Sequence, residues 1–158
     1  MAGIRDEWQP PMKAVHAVVG ALAIGLSTGA AVYGGWCWWR AVSSSRWFWR
    51  LLRAGQAAVV VEAVLGGVLE LVDHKAPGLH VLYGLLPLLV SLIAELLRVG
   101  AAQMVLDAQG FSSAAEVGTL PEDKQHEVVA AIINRELGVM ALSAAINVVL
   151  LARAAGTA

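Results

Sequence analysis

Apolar residues fall into four long stretches, and the polar residues collect between them. A helix needs about 20 apolar residues to cross the hydrocarbon of a bilayer. The first stretch runs from about 14 to 36, with Pro11 near a helix N1 position. The second runs from about 51 to 72, and the third from about 79 to 101, with Pro77 at its start. The fourth runs from about 132 to 154 and is interrupted near its start by Asn134, Arg135 and Glu136. The pattern predicts an all-α fold: a polytopic membrane four-helix bundle, up-down-up-down, forming a single transmembrane domain over 1–158. The first two connections are short, so spans one, two and three are expected to be antiparallel neighbours.

The third connection, about 102–131, is longer, polar and predicted to be a helical cytoplasmic segment. Gly110 is placed as a C-cap, and Ser113 and Glu116 stand at capping-box spacing. Pro121, Glu122 and Asp123 resemble a helix first turn that would run on into span four.

Composition supports embedding. Hydrophobic residues make up 58% of the 158 residues and charged residues 15%, where soluble chains carry about 25% charged. Mean hydropathy is +0.68. The net charge of −1 comes with no basic cluster carrying interleaved aromatics, which argues against nucleic acid. A single cysteine, Cys37, allows no intrachain disulfide and reads as packing. The stretch around Arg5, Asp6, Trp8 and Pro10 does not read as a cleaved signal peptide.

Charge also suggests an orientation. Arg40, Arg46, Arg50, Arg53, Arg98, Lys124 and Arg135 fall on one side, and Arg5, Lys13, Lys75 and Arg153 on the other. The positive-inside rule then puts both termini outside, in a bacterial-type inner membrane. Trp36, Trp38, Trp39, Trp47 and Trp49 flank the Arg-rich loop and read as an interfacial belt.

Two of the four histidines stand out. His126 lies in the polar connection and His74 in an outer turn, where solvation is expected. His16 and His80 lie just inside the starts of spans one and three, within about a turn of each other in depth. Each is followed four residues on by glycine, Gly20 and Gly84, which lies on the same helical face one turn deeper. A porphyrin lying over that position would collide with a larger side chain. On a helical wheel the His16 face continues through Ala23, Ser27, Ala30 and Gly34. The His80 face continues through Pro87, Ser91 and Arg98, with Glu95 at its border, opposite Leu82, Leu85, Leu89, Ile93 and Leu96.

Two readings follow. In one, the imidazoles are axial ligands of a b-type heme, with Lys13 and Lys75 available to its propionates. In the other, the small residues let helices approach closely and histidine hydrogen-bonds across them, as in a non-catalytic membrane subunit or scaffold without cofactor. Glu62 stands near the middle of span two on a face with Gly66 and Asp73. Glu95 and Arg98 can pair at i,i+3, and Ser143 and Asn147 form a polar face on span four. These groups either fix helix register, the favoured reading, or serve a proton route or a quinol contact.

The segment from Gln56 to Leu92, with Leu65-Gly66-Gly67, a short outer loop and a histidine opening the next helix, resembles one four-helix half of the heme A synthase family. More distantly it resembles other four-helix membrane b-type cytochromes. The resemblance covers spans one to three. It implies heme ligands at the outer ends of alternate helices, which match His16 and His80, 64 residues apart. The chain has only one half's worth of helices. It has Val15 and Ala17 beside His16 in place of that family's acidic residue and arginine. The resemblance therefore implies heme binding or electron transfer, with a quinol, a membrane redox protein or a larger membrane complex as partner. It does not imply oxidation of a heme methyl, and whether the chain is an enzyme stays open. No Gly-rich phosphate loop, H-E-x-x-H or G-x-S-x-G motif occurs.

Overall fold

The structure, a computed structural model, describes residues 2–42, 46–73 and 76–157. Lys75 and His74 therefore lie outside the described residues. Among those described, the only regular elements are six helices: α1 (Ala2–Trp39), α2 (Arg46–Asp73), α3 (Gly78–Val99), α4 (Ala101–Ala108), α5 (Ala114–Val117) and α6 (Glu122–Ala155). Four of these, α1, α2, α3 and α6, contain segments long and apolar enough to cross a membrane.

The helix ends follow from local chemistry. Pro11 was expected near the first position of the first helix, but both Pro10 and Pro11 lie inside α1, which extends eight residues before Pro10. Each proline removes one backbone donor, and α1 continues on both sides of them. At its other end, Val42 N donates to Cys37 O at 3.0 Å and Ala41 N to Trp38 O at 3.1 Å. This Schellman closure puts Ala41 at φ 49°, a conformation that costs a Cβ-bearing residue. The same closure ends α4, with Phe111 N on Leu106 O at 2.9 Å, and there Gly110 takes φ 80° as expected. Pro77 is the N-cap residue of α3, and α6 begins after Pro121 and runs unbroken to Ala155, as the first-turn pattern predicted. The capping box differs from expectation. Ser113 makes no side-chain cap bond. Instead Glu116 Oε2 accepts from Ser112 N at 2.8 Å and from Ser112 Oγ at 3.0 Å. Those two donors hold the Glu116 carboxyl below its usual range.

Helix α1 packs along both α2 and α6, and α3 packs mainly along α6. Contact between α2 and α3 is slighter, and α1 and α3 have no extended contact. The short second connection therefore did not make α2 the main neighbour of α3. The small faces of α1 and α6 allow the closer approach: Ala23, Ala30, Ala141 and Ala144 are all buried.

The core is layered. Around Phe48 cluster Cys37, Leu52, Leu137, Met140 and Ala141. Gly34 is required there, because a Cβ would stand 2.3 Å from the Phe48 ring. A second cluster joins Ala23, Val59 and Leu151. A third joins Leu106, Val117 and Val128, and fastens α4 and α5 onto the first turns of α6. The wheel assignments hold. Leu82, Leu85, Leu89, Ile93 and Leu96 are exposed on α3, while Pro87 is buried and Ser91, Glu95 and Arg98 are half-buried.

Candidate functional site

His16 of α1, Glu62 from just past the middle of α2, the beginning of α3 and the end of α6 come together toward one end of the bundle. His16 and His80 meet there, their ring centres 6.0 Å apart and their planes at 73°. Only His80 engages its Nδ1 in a hydrogen bond. His80 Nδ1 is 2.9 Å from Ala154 O, and since a carbonyl only accepts, Nδ1 carries the proton in that bond. That tautomer leaves the Nε2 lone pair for another use. His16 Nδ1 is 3.2 Å from Glu62 Oε2. The pair is close enough for charge attraction but not aligned as a hydrogen bond, and both atoms are buried without a hydrogen-bond partner.

Sequence reasoning placed Glu62 in the bundle but missed its contact with His16. The signal was available. Gly66 lies one turn from Glu62 on the same face, and a Cβ on Gly66 would stand 3.1 Å from His16 Cε1. The absence of that atom lets the imidazole lie on α2, with Glu62 beside it. Gly20 has a different role from the one expected. A Cβ there would stand 2.6 Å from Glu62 Oε1, so its space is already filled by the carboxylate. Gly84 does face open space, with nothing within 4 Å of a Cβ position. Lys13 is exposed near this end, one turn before His16.

Beneath the pair the interior becomes apolar. Ala23, Val59 and Leu151, with Leu88 against them, fill the next layer. Only below it does polarity return, where Asn147 Nδ2 donates to Ser91 Oγ at 2.9 Å; Ser27 and Ser143 are also buried. About 10 Å of helix separates His16 from Ala23. No continuous polar file therefore joins Glu62 to the lower groups through this layer.

The opposite end holds a satisfied ionic network. Glu95 pairs with Arg53, accepts from Gln56 Nε2 at 3.2 Å, and accepts from Arg98 Nε at 3.0 Å. Arg98 also lies 3.7 Å from Glu136 and over the Trp49 ring. The expected Glu95–Arg98 pair is present, and its extension to α2 and α6 was not foreseen. His126 is exposed in α6, 3.8 Å from Glu122.

Among the described residues, no three His, Cys, Asp or Glu side chains converge as a metal-binding group. Two imidazoles alone make a short ligand set for a bare ion. No family model, curated protein or solved structure matches the chain.

Proposed function

We propose that the chain is a multi-pass membrane protein that holds a b-type heme between His16 and His80, for electron transfer or heme handling. In this reading the four apolar helices run up-down-up-down in a bacterial-type inner membrane, with both termini outside. Two pairings of a helix beginning with a helix end support the topology, His80 with Ala154 and Arg53 with Glu95. The lysine and arginine asymmetry supports the orientation.

The carrying observation is the disposition of the two imidazoles. Metal-ligating histidines commonly direct their other nitrogen to a backbone carbonyl or a carboxylate, which fixes the ring and its tautomer. His80 has such a partner in Ala154 O, and the Glu62 carboxylate stands 3.2 Å from His16 Nδ1 without an aligned hydrogen bond. The two rings stand 6.0 Å apart between centres with their planes at 73°, so α1 and α3 bring both imidazoles to one place. The donor set fits a group that brings its own equatorial ligands. His16 and His80 would hold the heme, Gly84 would border it, and Lys13 is exposed near the same end. Bound there, heme supplies one-electron redox chemistry. The protein's part is to fix both rings and to close the site from below with Ala23, Val59 and Leu151.

An absorption spectrum of the detergent-purified, heme-supplemented protein tests this. The expected result is a Soret band that sharpens on reduction and is lost in the His16→Ala, His80→Ala double variant. Gly84→Leu should also abolish it while leaving the fold stable, since the added side chain enters open space. An unchanged spectrum in the double variant would overturn the reading.

One observation favours the second reading, a non-catalytic membrane subunit. The spaces at Gly20 and Gly66 are filled by Glu62 and His16, so these glycines already serve protein packing. In that case no Soret band develops, and Glu62→Gln weakens the α1–α2 contact alone.

A further inference from the structure

Far from the histidines, α4 lies against α6 where the ionic end of the bundle meets the cap formed by α4 and α5. Two adjoining hollows of about 460 and 380 Å³ open there, sharing Val105, Ala131 and Arg135. The floor is apolar, formed by Val139, Leu142 and the Trp38 indole. Gly138 permits this, because a Cβ on it would stand 2.7 Å from Trp38 Nε1.

The charge at this groove differs from the rest of its end. Arg53 and Arg98 are spent on Glu95 and Glu136. Arg135 is exposed, and its guanidinium meets no carboxylate among the described residues. Its one hydrogen-bond contact is Met104 Sδ at 3.8 Å, a weak acceptor. Beside it, Asn134 Oδ1 has no hydrogen-bond partner. The cation stands two residues before the buried run of α6 that begins at Leu137, at the level of the half-exposed Trp38. A positive group at the membrane boundary and an apolar trough running inward from it match an amphiphile with an anionic head.

We propose that this groove binds an anionic phospholipid, with its phosphate on Arg135 and one acyl chain along Val105, Val139 and Leu142. The site rests on the membrane reading of the four spans and is independent of heme. The charge is single and local, so the head group pairs with Arg135 in place of a carboxylate, and the chain covers the Trp38 face.

The test uses the full chain in neutral detergent, with lipid retention read by native mass spectrometry and stability by thermal unfolding. The probes are phosphatidylglycerol, phosphatidylcholine and inorganic phosphate. Phosphatidylglycerol should be retained and raise Tm, and the other two should do neither. Arg135→Gln should retain phosphatidylglycerol about five-fold less, the size of one basic contact with an anionic surface. Arg40→Gln, an exposed charge at the same end but outside the groove, should retain it as the unaltered protein does. Three results would each overturn the site: equal retention of phosphatidylcholine, protection by phosphate alone, or equal losses in the Arg40 and Arg135 variants. Failure of the chain to partition into membranes at all would instead strike the reading beneath it.

Discussion

The two ends of the helix bundle both gather charged and polar side chains, yet they treat them differently. At the Arg53 end every oxygen of Glu95 is engaged, by Arg53, Gln56 and Arg98, and the layer above is packed around Phe48 and Met140. At the His16 end, His16 Nδ1 and Glu62 Oε2 are buried without hydrogen-bond partners, and the space at Gly84 is open. An unsatisfied buried polar group costs more than a satisfied one returns. The first end is built to hold α2, α3 and α6 together. The second brings a carboxylate and an imidazole together without an aligned hydrogen bond between them.

Substitutions can break this contrast, and the largest effect belongs to the packed end. Phe48→Ala should cost roughly 2–4 kcal/mol, because a cavity opens among Cys37, Leu137 and Met140 while lipid or detergent offsets part of the transfer term. Thermal unfolding in detergent measures it. Next comes Glu95→Gln, which keeps the shape but weakens charge-assisted bonds to two arginines. Partial exposure of Arg53 limits the loss to about 1–2 kcal/mol. Glu62→Gln, an equally conservative change at the other end, should alter stability by less than about 1 kcal/mol, since no aligned hydrogen bond is lost. If the two Glu→Gln changes cost the same, the contrast between the ends is wrong.

Smaller effects sharpen it at the edges of the fold. Ala41→Gly should stabilise by about 0.5–1 kcal/mol, because glycine adopts the left-handed closure of α1 without a Cβ penalty. The smallest is a pH effect at Glu116. Its folded carboxyl titrates below the unfolded one, so its contribution is present above the ordinary glutamate range. That contribution is lost as pH falls through the lowered value. Ser112→Ala should remove the Oγ part of that dependence, read from unfolding temperatures across acid pH.

The four apolar helices are legible along the chain, because length and hydropathy alone decide whether a segment can cross a bilayer. The sequence also shows which helix faces turn inward and which turn outward. Gly20, Ala23, Ser27 and Ala30 on α1, and Leu82 through Leu96 on α3, lie on a wheel that 3.6 residues per turn makes legible. The level of the histidines was readable from the same rise. Who meets whom was settled by packing between the helices. It turned α3 onto α6 more than onto α2, set Glu62 beside His16 across Gly66, filled the space at Gly20, and tied Arg53 to a glutamate 42 residues away. Periodicity states the direction a side chain faces on its own helix. Partners depend on which helices pack and at what register, and those are fixed by the fit of small and large residues between helices, which local pattern does not contain.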